Sequence, residues 1–147
     1  MRIITWSGSL LSVQPDLSDI GSGAQELIGY QIDLSAADGS ARVILDIEAR
    51  HLNRNGSLHG GIVAMMLDAA SGFAASRSEM KERLGNVVTV SFTTQFFAPG
   101  LPGQVVATGR VVGGGSKIKF CDAELVAEDG RVLSRSSGVF KLTGRSS

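Results

Sequence analysis

At 147 residues the chain has the size of one ordinary domain; it can build an apolar core without disulfide or metal staples, and 43% of it is hydrophobic. Lys and Arg total 14 against 14 Asp and Glu, and with no dense basic run nothing is suited to follow a nucleic-acid backbone or an anionic bilayer. Cys121 is the lone cysteine, which excludes an internal disulfide, and the N-terminus lacks a secretory apolar stretch. The cytoplasm is the expected compartment. Mean hydropathy is +0.16, yet the longest apolar stretch, residues 60–75, falls short of the about 20 needed to span a bilayer and carries Asp68. It reads as a buried helix.

No repeat, low-complexity tract or Pro-rich linker divides the chain. Residues 1–25, rich in Ser, Gly, Asp and Gln, read as a peripheral arm or helix, leaving 26–147 as the domain proper. Residues 27–34 read as a strand, Asp38-Gly39 as a two-residue hairpin turn, and 40–48 as a second strand with Ala41, Val43, Leu45 and Ile47 on one face. After the turn residues Asn53-Arg54-Asn55-Gly56, the positions Ile62, Met65, Met66, Ala69 and Phe73 recur at helical spacing, predicting a helix over about 59–78.

Residues 86–97 alternate Val88, Val90, Phe92 and Phe96 against Thr89, Ser91, Thr93 and Gln95, the pattern of a half-buried strand. Further strands are expected over 104–112, over 116–127 after a Gly-Gly-Gly turn, and over 131–142 after Asp129-Gly130. The order ββαββββ has one helix and no second crossover, so the expected class is α+β: a mostly antiparallel sheet with the long helix on one face.

That helix is unusual. Between Asn55 and Ser76 the only charged side chain is Asp68, and opposite the Ile/Met/Phe stripe stand Ala64, Ser71 and Ala75. A helix apolar all round is enclosed all round, and small residues on its second face allow another backbone to approach. A second subunit is the expected supplier. An Asp in such surroundings is expensive unless partnered; it either hydrogen-bonds a neighbouring element or does chemistry.

At the helix start, His59-Gly60-Gly61 places poor helix formers where Ser, Asp or Glu would serve better. Glycine there permits either tight packing or close approach of a ligand to free N–H groups at the positive helix end, a cradle for an oxyanion. Gly60 and Asp68 are eight residues apart, about 12 Å along a helix axis. One small reacting group therefore cannot touch both in a single chain, and cooperation requires antiparallel helices in a dimer.

The string from Asn53 through His59-Gly60-Gly61 to Asp68 resembles the hotdog-fold acyl-CoA thioesterases of the phenylacetate-degradation (PaaI-like) type. Phe96-Phe97-Ala98-Pro99-Gly100 and Asp129-Gly130 are similar as well, so the resemblance covers roughly residues 27–142. It implies a hotdog fold, a curved antiparallel sheet wrapped around one long helix, with subunits joined edge to edge as homodimers that often pair into homotetramers. It implies acyl-CoA as substrate, Asp68 as nucleophile or general base, the Gly60 N–H as carbonyl polariser from the partner chain, and Asn53 as the group orienting water or carboxylate. His59 would lie beside the thioester or hold the loop, and Thr89 would help place water. A thioester is already activated, so a carboxylate and a preorganised donor suffice without cofactor or metal.

Two other functions fit the same pattern: a non-catalytic acyl-CoA-binding or regulatory protein in which Asp68 is structural, and a hydratase, which usually pairs Asp with a His that is missing shortly after Asp68. Zinc is disfavoured, since His51 and His59 are the only histidines and no Cys or Glu stands at ligand spacing. Gly113-Gly114-Gly115-Ser116-Lys117 lacks the order of a phosphate loop and reads as a hairpin. Lys117 and Lys119, or Arg77, Lys81 and Arg83, are candidate surface partners for coenzyme A phosphates, set against ordinary solvated charge. Met65, Met66 and Phe73 read as core, and Cys121, with Ala123, Leu125 and Ala127, as an inert residue of an apolar strand face.

Overall fold

The computed structural model describes residues 21–78 and 84–144. The predicted N-terminal arm therefore lies mostly outside the described residues, as do Lys81 and Arg83. The elements are α1 (Gly23–Ile28), β1 (Gln31–Asp33), β2 (Ala41–Asp46), a 3-10 turn (Ala49–His51), α2 (Gly60–Arg77), β3 (Asn86–Phe96), β4 (Gln104–Gly114), β5 (Ile118–Ala127) and β6 (Val132–Thr143). The six strands form one antiparallel sheet in the order β1-β2-β4-β5-β6-β3.

Helix α2 touches β2, β3, β4, β5 and β6. Five flat strands would span about 19 Å at ordinary spacing, against a helix about 10 Å across. The sheet must curl around the helix, which is the architecture the resemblance implied. In β2 the expected alternation holds: Ala41, Val43, Leu45 and, just beyond it, Ile47 are all buried. Cys121, Ala123 and Leu125 continue the same inner face on β5, and burial pushes the Cys121 thiol up to about 11, further raised by Asp122 against the opposing effect of Lys119. That thiol stays protonated and unreactive at neutral pH.

Three expectations change. Residues 27–28 are helical rather than extended, because Ser22 caps α1 by accepting the Gln25 N–H and Gly29 ends it in the left-handed conformation at φ 87°. The β1–β2 connection exceeds two residues: pairing stops at Asp33↔Arg42, because Asp33 Oδ1 takes the Ser35 N–H and Asp38 Oδ1 takes both the N–H and the hydroxyl of Ser40. These side chains compete with the strand ladder.

The third change concerns the face α2 turns to the sheet. Val63, Met66, Leu67, Ala70, Ser71, Ala74 and Ala75 are buried, whereas Ile62, Met65, Ala69 and Phe73 are only half-buried. The small residues meet the sheet because the curled strands approach the helix backbone itself. A Cβ built on Gly109 of β4 would stand 2.3 Å from the Ala70 carbonyl carbon and oxygen and 2.6 Å from the Ser71 nitrogen. Gly109→Ala is therefore expected to destabilise the fold by about 3 kcal/mol, lowering Tm by roughly 10 °C. Thermal unfolding checks this, and an unchanged Tm would mean that helix and strand are not in backbone contact.

Candidate active site

The loop entering α2 is built around Asn53. Its Oδ1 accepts the Asn55 N–H at 2.9 Å, the Ser57 N–H at 3.2 Å and the Ser57 hydroxyl at 3.3 Å, while backbone bonds join Asn53 N–H to Ser57 O and Gly56 N–H to Asn53 O. The carbonyl end of the side chain thus holds the turn. Its amide Nδ2 has no acceptor among the described residues and is the group left for a ligand. Two contacts anchor the loop base: Leu58 donates to Gly100 O, and His59 donates to His51 O. His51 is buried, with Nε2 against Ile28 O at 2.7 Å and Nδ1 accepting the Glu48 N–H at 2.9 Å. Its ring is occupied structurally.

His59 is the N-cap of α2. Its Nδ1 accepts the Gly61 N–H at 2.9 Å, and its carbonyl accepts from Ile62 and Val63. The ring lies so close that a Cβ on Gly61 would meet Nδ1 at 3.0 Å, which accounts for the second glycine. The Gly60 N–H, at the first helical position, lies outside the intrahelical ladder and has no acceptor among the described residues. It borders a cavity of about 340 Å³ shared with Asn53, Val63, Phe96, Pro99 and Leu133. Such a site offers an open cleft of mixed polarity, an amide N–H at a positive helix end and a carboxamide, both without an acceptor among the described residues.

Asp68 does not line this cavity. It is half-buried on the side of α2 turned away from the buried stripe, so it is less enclosed than its sequence neighbourhood suggests. Thr89 donates its hydroxyl to Asp68 Oδ1 at 2.7 Å, leaving Oδ2 without a partner among the described residues. The sequence alternation puts Thr89 on the polar side of its strand, but a bulge reverses that. Register shifts between Thr89 and Ser91, so that Thr89 pairs with buried Phe140 and Phe92 pairs with Gly138. Val90 is the extra residue, and both Thr89 and Phe92 come to face the helix.

The structure thus gathers the predicted residues into two groups, Asn53, His59 and Gly60 at the start of α2, and Asp68 with Thr89 about two turns on. It does not join them within one chain. Tyr30, which sequence reasoning passed over as a strand residue, stands near the second group: burial raises its phenol pKa most, a Ser22 hydrogen bond opposes this, and the Asp68 charge raises it further. The phosphate-contact candidates fare unevenly. Arg77 donates to Ser40 O and Ala36 O, pinning the end of α2, and Lys119 is buried rather than on the surface. Lys117 is exposed. Among the described residues strand β3 ends the sheet and is paired only with β6, and it exposes Val88, Val90 and Phe96, followed by Phe97.

A family model described as thioesterase superfamily matches residues 55–134. The chain is 26% identical over 94 residues to a medium/long-chain acyl-CoA thioesterase, YigI, of Salmonella typhimurium, an alignment covering 56% of this chain and 61% of that relative. The chain thus spans less than two-thirds of that relative's length. It is 28% identical over 102 residues to human acyl-coenzyme A thioesterase 13, covering 69% of this chain and 71% of the relative. Among solved structures, the Escherichia coli PaaI protein from the phenylacetic acid degradation operon superposes with a TM-score of 0.75 at 25% identity, covering 84% of this chain and 86% of that one. The conserved protein PA5202 of Pseudomonas aeruginosa gives 0.79 at 27% identity, covering 88% and 100%.

Proposed function

Because the chain belongs to the thioesterase superfamily, we propose that it hydrolyses an acyl-CoA thioester to the free acid and coenzyme A at a site shared by two hotdog subunits. The single observation that carries this reading is a pair of groups on α2 left unspent among the described residues: the N–H of Gly60, a residue lining the cleft, and an Asp68 carboxylate held by Thr89 through one oxygen, with the other unpartnered. The names of the acyl-CoA thioesterases it is similar to support the substrate class.

In this mechanism the thioester carbonyl oxygen accepts the Gly60 N–H of one subunit, where the helix end and the absence of a competing acceptor favour the developing oxyanion. Asp68 of the partner subunit supplies the attack with its free oxygen, either on the carbonyl carbon directly or by taking a proton from water. The C–S bond breaks, and coenzyme A leaves as the thiol once protonated. If attack is direct, water then cleaves the mixed anhydride. Thr89 fixes which carboxylate oxygen faces the substrate, His59 fixes the Gly60 peptide by capping the helix, and the Asn53 amide donates to the attacking water or to the carboxylate.

The β3 edge, which no other strand covers among the described residues and which exposes Val88, Val90 and Phe96, supports a dimer, since an open apolar edge invites aggregation and self-pairing of β3 would cover it. A further pairing into a tetramer, a cytoplasmic location and the division into a 1–25 arm and a 26–147 domain belong to the same proposal. Among the described residues no helix is long and apolar enough to cross a membrane. The test is thiol release from a panel of alkyl and aryl acyl-CoA esters. Turnover of any of them supports the reading, whereas acyl-CoA binding without thiol release across the panel would instead identify a binding protein in which Thr89 and Asp68 form a structural bond.

A further inference from the structure

A histidine buried as fully as a core leucine is uncommon, and His51 is only 1% exposed. Its ring is pinned at both nitrogens. The Glu48 N–H donates to Nδ1 at 2.9 Å, so Nδ1 carries a lone pair, the ring proton sits on Nε2, and Nε2 donates to Ile28 O at 2.7 Å. The ring thus joins the start of its own 3-10 turn to the last residue of α1. That end of α1 is itself held, since Arg50 donates to Leu27 O at 3.1 Å and to Ile28 O at 3.3 Å.

The backbone of the same residue reaches the site. The His51 carbonyl accepts the His59 N–H at 2.9 Å, Leu52 and Leu58 form an antiparallel bridge, and the Asn53 N–H donates to Ser57 O at 2.8 Å. Residues 51–59 are therefore a hairpin with His51 and His59 at its base and Asn53 at the turn. His59 is fixed on both sides of the Gly60 peptide, by its own N–H on His51 O and by its Nδ1 on the Gly61 N–H. The two fixings are unequal. The bond to Gly61 lies in the open, with both residues exposed, whereas the bond to His51 leads into the core.

Resting on the thioesterase reading for the reaction, we propose that His51 is a positioning residue for the oxyanion donor. Its pinned ring fixes the direction of the His51 carbonyl, the carbonyl fixes the His59 N–H, and these together set where the Gly60 N–H points. His51 touches neither substrate nor carboxylate and acts only through His59. An oxyanion donor is sensitive to such control, because a reacting group misplaced by about 1 Å costs up to about a hundredfold in rate. The cost falls on kcat, since the bond to the Gly60 N–H strengthens as charge develops on the carbonyl oxygen.

The experiment compares the parent with His51→Phe, which keeps a ring but loses both bonds, and His51→Gln, whose carboxamide can still donate to Ile28 O. Thiol release gives kcat and KM per folded molecule, well below each unfolding temperature. Amide hydrogen exchange of His59 is read beside that of Ala70 in the middle of α2. His51→Phe is expected to lower kcat about tenfold with KM within about twofold of the parent, and His51→Gln to lose about threefold. His59 exchange should accelerate about tenfold in His51→Phe while Ala70 stays as in the parent. If His51→Phe does not fold, His51→Gln carries the same comparison. A lower unfolding temperature with parental kcat, or a loss confined to KM, overturns the proposal and leaves His51 a packing residue. Unaccelerated His59 exchange overturns it whether or not thiol is released. Absence of thiol release from the parent removes the hydrolase reading instead, a failure that the exchange data keep separate.

Discussion

Exchanging Asp68 for Asn is expected to lower thiol release from a cleaved acyl-CoA by about a thousandfold while leaving the unfolding temperature close to that of the parent. The substitution is nearly isosteric, and an Asn carbonyl oxygen at this position can still accept the Thr89 hydroxyl that the carboxylate accepts at 2.7 Å. What disappears is the basic, nucleophilic oxygen on the uncovered side of α2. The loss should appear in kcat more than in KM, because the carboxylate acts on the bond being made rather than on the ground-state acyl chain. Steady-state kinetics and thermal unfolding on the same preparation separate this from a structural role. A variant with near-parental turnover and a much lower Tm would show that Asp68 only braces β3 against the helix.

The second large effect is expected at Gly60, where two substitutions isolate the N–H. Gly60 is the first helical residue, the position at which proline fits best, since its N–H is unpaired there in any case. The preceding residue, His59, already has φ −59° and ψ 131°, the extended conformation that a following proline demands. Gly60→Pro should therefore preserve α2 yet remove the proposed oxyanion donor, reducing turnover by about a hundredfold to a thousandfold. Gly60→Ala keeps the donor and meets only ordinary contact, with its Cβ 3.5 Å from the Phe96 ring, so its loss should be several-fold at most. Equal losses in the two variants, read from kcat/KM, would mean that bulk at the cavity wall matters and the N–H does not.

These two residues were legible in the sequence for a physical reason: each violates a local rule. A lone carboxylate in an apolar helix and a pair of glycines where a cap should be are locally unfavourable, and such violations concentrate at functional sites. Asn53, His59 and Thr89 carried no comparable signal and came from the resemblance. The Asn53 carbonyl oxygen and the His59 Nδ1 make the loop and the cap, which is ordinary turn chemistry and gives no sign of the Asn53 amide left over. Strand β2 was readable because its alternation coincides with burial.

Less was legible where tertiary packing sets the phase. Apolar all round, α2 gives no single stripe to read, and its buried face is decided by how closely β4 approaches, through Gly109, rather than by side-chain size. The face of Thr89 turns on one bulged residue, Val90, which no alternation rule can anticipate. Helix α1 did leave a trace, Ser22 followed three residues later by Gln25 and ended by Gly29, the pattern of a capping box with a left-handed terminus. Six helical residues between those signals carry too little periodicity to stand out against a strand reading.

Mixing the two inactive variants tests the shared site most directly. Asp68→Asn and Gly60→Pro chains, unfolded together and refolded, form mixed dimers in which one site draws an intact Gly60 from the first chain and an intact Asp68 from the second, while the other site carries both lesions. Random pairing makes about half of the dimers mixed, each with one working site, so the mixture should recover about a quarter of parental turnover, although either variant refolded alone stays inactive. A mixture no more active than its components would show that Gly60 and Asp68 do not meet across a subunit boundary, and catalysis by a site shared between two chains would be ruled out.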